Sequence, residues 1–129
     1  MRGGRANLED LEVYQAAREL KRRVYGVVQV LPGGLRNPWG RHLCEAAASI
    51  SANIAEGYGR FSFADRRQFF RFARGSAYEV IDHIDSLEAF ELADATVTQR
   101  LIEDVRGIIR MINGYLRYLK AKSASPTYQ

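Results

Sequence analysis

The sequence predicts an all-α fold, an antiparallel up-down-up-down four-helix bundle, and three observations carry that prediction. Four long stretches repeat apolar residues three and four positions apart, the spacing of a single helix face. Short segments rich in helix breakers and capping residues separate them, Pro32-Gly33-Gly34 and Gly57-Tyr58-Gly59 among them, and short connections join antiparallel neighbours. The 46–60 stretch is rich in alanine and carries no charge before Glu56, so other helices must surround it.

Residues 1–6 hold Gly and Arg with nothing to bury and read as a disordered basic tail. Helix 1 is expected over 8–31, with Asn7 as N-cap and Glu9 and Asp10 in the first turn, where the helix dipole favours negative charge. Its seam is Val13, Ala17, Leu20, Val24, Val27 and Leu31, with Leu11, Tyr14, Tyr25 and Val28 beside it. Asn37-Pro38 opens helix 2 over 38–56, with Leu43, Ala47, Ile50 and Ile54 as seam and Gly57 and Gly59 suited to the left-handed position past its end. Ser62 caps helix 3 over 63–90, whose seam is Phe70, Ala73, Ala77, Val80, Ile84 and Leu87. Thr96-x-x-Gln99 has the form of a capping box for helix 4 over 97–120, with Leu101, Val105, Ile108, Ile112, Tyr115 and Leu119 inside. The bundle spans 7–121, and 122–129 reads as a frayed tail.

A chain of 129 residues makes one domain. Its formal charge of +4 favours anionic partners without demanding them. One cysteine excludes an intrachain disulfide, no apolar run approaches the ~20 residues of a membrane span, and the N-terminus lacks a signal-peptide core. A cytoplasmic protein without membrane contact is expected.

The central helix holds few polar groups. Asn53 is expected to make a buried hydrogen bond that fixes helix register, Glu56 to pair with a nearby Arg, and Gly57 to stop the helix. There is no catalytic constellation. His42 and Cys44 point to different faces, Cys44 reads as a small buried side chain, and Glu79 with His83 lacks the Glu-x-x-His pairs of di-iron bundles. No enzyme activity, metal or cofactor is expected.

Charge placement is more informative. Arg66, Arg67, Arg71 and Arg74 occupy the first half of helix 3, and Glu79, Asp82, Asp85 and Glu88 the second, each against the helix dipole at a cost of tenths of a kcal/mol. The topology gathers Arg60, Arg66, Arg67, Arg71, Arg74, Arg117, Lys120 and Lys122 at one end, with Arg2 and Arg5 of the tail, and acidic residues at the other. Surplus apolar residues, above all Tyr14, Tyr25, Phe69, Phe72, Ile109 and Leu116, exceed what one bundle can bury and predict an oligomer interface.

The motif Ala-Ala-x-Ser-Ile-x-x-Asn-Ile-Ala-Glu-Gly at 46–57 in the central helix, followed by Arg60, Ser62 and Phe-x-x-Phe-Ala-Arg-Gly-Ser-Ala-x-Glu at 69–79, resembles the bacterial four-helix-bundle family named for proteins encoded in intervening sequences of large-subunit ribosomal RNA genes. Leu11-Glu12-Val13-Tyr14-Gln15-Ala16-Ala17, Val24-Tyr25 and Leu31-Pro32 extend the resemblance over about 8–90. It implies a non-enzymatic bundle assembled as a ring-like homopentamer. Distant relatives, the accessory proteins of diversity-generating retroelements, bind RNA and a reverse transcriptase. Many members carry paired Arg just before the Ala-Ala, where this chain has Cys44 and Glu45.

Two readings of function stand side by side. In one, a basic rim of a homo-oligomer binds nucleic acid, RNA rather than DNA, through phosphates, in a ribonucleoprotein or beside a reverse transcriptase. In the other, the same charges pair between subunits of a structural or protein-interaction oligomer without nucleic-acid affinity.

Overall fold

Every long apolar repeat in the sequence becomes a helix. The computed structural model describes residues 7–123, so the basic tail at 1–6, with Arg2 and Arg5, and most of the 122–129 tail lie outside the described residues. Four helices form, α1 Glu12–Gln29, α2 Pro38–Tyr58, α3 Phe63–Ala89 and α4 Ala95–Ser123, with 3₁₀ turns at Leu8–Asp10 and Gly34–Arg36 and no strand among the described residues. No described helix is long and apolar enough to cross a membrane.

The core is the sum of the four seams. Val13, Ala17, Leu20 and Val24 of α1 meet Leu43, Ala47, Ile50 and Ile54 of α2, and the whole predicted α3 seam is buried with Leu101, Val105, Ile108, Ile112 and Leu119 of α4. The α2–α3 interface is the most extensive and α1–α4 the least, because α2 and α3 face one another with Ala46, Gly57, Ala73, Ser76 and Ala77, all buried. Small side chains let two helix axes approach. A Ser49–Ser76 hydroxyl pair at 2.8 Å ties the two helices.

Several expectations are corrected. Val28, not Val27, is the fully buried residue of the last α1 turns, and Tyr115 is only half buried. Apolar spacing fixes a face to within about one residue in 3.6, and the crossing of the helices chooses between adjacent candidates. Ile109, expected at an oligomer interface, is buried. Helix 1 does not start at residue 8: Asn7 N–H donates to Asp10 Oδ2 at 2.9 Å in the 3₁₀ turn, Leu11 is extended, and Leu8 and Leu11 fold against the core. It also ends at Gln29, which brings Leu31 inward.

Gly57 is not a left-handed stop. It lies within α2, and among the described residues the glycines with positive φ are Gly33 and Gly34. A Cβ at Gly57 would stand 2.9 Å from the Cβ of Phe69 and 3.1 Å from Phe70 Cδ1, so this glycine admits α3 rather than ending α2. Gly59 is the C-cap in right-handed geometry. Asn53 is half buried and donates to Ser49 O at 2.9 Å and Ser49 Oγ at 3.1 Å on its own helix, so the bond between helices belongs to Ser49 and Ser76.

The caps divide likewise. Ser62 Oγ accepts from Asp65 N–H at 3.0 Å, as expected, and at α2 Asn37 Oδ1 accepts from Trp39 N–H at 3.0 Å, ahead of the expected Pro38. At α4 the cap is Asp94, whose Oδ1 accepts from Val97 N–H at 3.1 Å, and Thr96 and Gln99 are already helical. The end of α3 has a non-glycine residue in left-handed conformation, Glu91 at φ 56, where Leu92 N–H reaches back to Leu87 O at 2.8 Å. A side chain pays for that conformation in steric strain and glycine does not. Glu91→Gly is therefore expected to raise stability by about 0.5–1 kcal/mol, read as an upward shift in a thermal melt.

Candidate nucleic-acid interface

Antiparallel packing sets the first turns of α3 beside the last turns of α4. Arg67 Nη1 donates to Ser123 Oγ, and Arg74 Nη1 donates to Asn113 Oδ1 at 2.7 Å. Between the two helices runs a groove of about 500 Å³ lined by Arg67, Arg71, Arg74, Asn113, Leu116, Arg117 and Lys120. Five of these seven are cations and none is a carboxylate. Among the described residues no ion pair involves any of the five. Five like charges along one furrow raise its potential and attract counter-ions.

The structure separates the other three predicted cations from the groove. Arg60 pairs with Glu56 at 2.8 Å, the partner expected for Glu56, and lies over the Phe69 ring at 4.6 Å. Arg66 Nε donates to Arg60 O at 2.7 Å and lies near the rings of Tyr58 and Phe63. Lys122 sits over Tyr118. These aromatic side chains carry cations on their faces. Phe61 is fully exposed, at the α2–α3 turn.

The residues expected at an oligomer interface differ in their surroundings. Tyr25 and Phe72 are each 47% exposed. Tyr14 is half buried with Arg18 over its ring, Phe69 stacks edge-on to Phe72, and Leu116 lies in the floor of the basic groove. At the opposite end of the bundle the rings of Trp39 and Phe90 pack with centroids 4.8 Å apart, both partly exposed, and Val30 and Leu35 are exposed as well. That apolar end was missed by a reading of seams, because Trp39 belongs to the first turn of α2 and Phe90 follows α3. Asn113 was also missed, although its place four residues before Arg117 sets both on one helix face.

Among the described residues the candidate catalytic side chains do not converge. Cys44 is half buried rather than buried, and burial, with Glu45 nearby, pushes its thiol above the usual range, which disfavours the reactive thiolate. The rings of His42 and His83 lie 5.8 Å apart, and His83 approaches Glu79 at 3.8 Å, but no cluster of three metal-ligating side chains occurs among the described residues.

The comparisons with known proteins agree with this fold. The family model described as 23S rRNA-intervening sequence protein matches residues 9–114. The fold is similar to a crystal structure of a protein of unknown function from the S23 ribosomal protein family of Bacteroides thetaiotaomicron VPI-5482. The TM-score is 0.75 at 19% identity, over 82% of this chain and 96% of that one. No curated protein matches.

Proposed function

This chain belongs to the 23S rRNA-intervening sequence protein family, and from that premise we propose that it is a non-catalytic homo-oligomeric helical bundle that binds nucleic acid through phosphates. The observation that carries the reading is the α3–α4 groove, with five cations and no carboxylate to neutralise them. Arginine forks and a lysine along two helices suit the spaced charges of a nucleic-acid backbone. Among the described residues no aromatic side chain lines the groove, so the binding reads backbone rather than base sequence. RNA is the expected partner over DNA, by the resemblance to the RNA-binding accessory proteins of diversity-generating retroelements. An accessory role in a ribonucleoprotein or beside a reverse transcriptase is part of the proposal and is carried by the resemblance alone.

Self-assembly, as a homopentamer by that resemblance, is supported by the exposed Tyr25, Phe72 and Tyr118. The interface drawn from the sequence is kept at Tyr14, Tyr25, Phe69 and Phe72. Ile109, being core, leaves it.

The test is native mass spectrometry of protein purified without nuclease, followed by titration of a labelled single-stranded RNA at several salt concentrations. The expected result is an oligomer with bound nucleic acid that leaves as salt rises. With five phosphate contacts, log K should fall with log salt at a slope of about −3.5. An oligomer that retains no nucleic acid and a titration without salt-dependent binding overturn the proposal in favour of an interaction oligomer.

A further inference from the structure

The outer face of α3 carries Arg67, Arg71, Arg74, Tyr78, Asp82 and Asp85 in steps of four and three, one continuous stripe. About Tyr78 this stripe is symmetric in position and inverted in charge. Arg74 and Asp82 lie four residues either side of it, Arg71 and Asp85 seven. The cationic half lines the groove already described. The anionic half lines a second groove of equal size, about 500 Å³, between the same two helices, walled by Tyr78, Ile81, Asp82, Asp85, Gln99, Ile102, Glu103 and Arg106. Neither Arg71, Arg74, Asp82 nor Asp85 has an ion-pair partner among the described residues, and Tyr78 is 55% exposed.

We propose that this face pairs with a second copy of itself, antiparallel about a twofold axis at Tyr78, and that the pairing covers the basic groove and competes with nucleic acid. In that register Arg74 meets the partner's Asp82 and Arg71 meets the partner's Asp85, each twice by symmetry. Charges set against the dipole of their own helix are then met by an opposite charge and by an antiparallel helix whose dipole runs the other way. The face has the area this needs. A helix as long as α3 extends about 40 Å and two helices are about 20 Å wide, which gives about 800 Å² a side, a standard specific interface. The pairing stands on charge and register, whereas the competition rests on the function proposed above.

Crosslinking tests the geometry. A Tyr78→Cys variant in a Cys44→Ala background places one thiol at the axis. Mild oxidation at low salt is expected to give a disulfide-linked dimer, less of it at high salt. Adding Asp82→Arg and Asp85→Arg should cut the yield roughly tenfold. Adding Arg71→Asp and Arg74→Asp as well should restore it, because all four charges are then inverted and complementary again, a rescue that a misfolded variant cannot show. No crosslink, or a crosslink indifferent to these changes, overturns the pairing. The linked dimer should bind labelled RNA at least about tenfold more weakly than its reduced form, and equal binding overturns the competition. RNA that binds neither form counts against the proposed function, and the pairing is then judged by the crosslink and its charge dependence.

Discussion

Replacing Phe70 by alanine is expected to lower the unfolding free energy by about 3–5 kcal/mol, the range for deleting a fully buried aromatic side chain. Phe70 is completely buried, stacks on Tyr115 of α4 with ring centroids 4.5 Å apart, and lies against Gly57 of α2. One ring therefore joins three helices, and its loss opens a cavity that none can close alone. Chemical denaturation followed by circular dichroism checks the magnitude. Gly57→Ala probes the same junction from the other side. Its new methyl would meet the Phe69 Cβ and the Phe70 ring, and since a Cβ is fixed to the backbone, α2 and α3 must separate slightly. A cost of about 1–3 kcal/mol is expected, against the stabilisation of up to about 1 kcal/mol that alanine brings to an unobstructed mid-helix glycine. Gly75 supplies that control, since nothing lies within 4 Å of the position its Cβ would take.

The second large effect is on binding. Arg71→Glu together with Arg117→Glu leaves one net positive charge among the groove cations, from five to three positive and two negative. Single-stranded RNA affinity at low salt should fall by about a hundredfold or more, and the salt slope should flatten by at least about 1.4, the share of two phosphate contacts. Both positions are exposed, so the helical signal and the melting temperature should hold. Arg36→Glu with Arg41→Glu makes the same change in net charge away from the groove and should cost far less. Equal losses in the two double variants would mean that net charge, not the groove, governs binding.

The apolar end formed by Trp39 and Phe90 and the basic groove lie at opposite ends of the bundle, so the two chemistries are open to different partners.

What the sequence determined by itself was the set of elements and their inward faces. A repeat of three and four is a local property, so Phe70, Val80, Ile84 and Leu87 on α3 were legible as core, and Ser62 as a cap, from spacing and side-chain chemistry alone. The family was legible from ordered motifs along the chain. Only the tertiary structure decided what depends on two elements at once. Gly57 looked like a stop because glycine often ends helices, yet its place is set by Phe69 and Phe70 across the interface. Ile109 looked surplus because one seam was already full, yet it too is buried. Eight cations were assigned to one end, and lateral packing chose the five that share a groove while Glu56, the Arg60 carbonyl and the Tyr118 ring engage the others. Periodicity states which side of a helix turns inward. Which residues meet beside it depends on how closely and at what level the neighbouring helix lies, and that is fixed by the packing of the whole core.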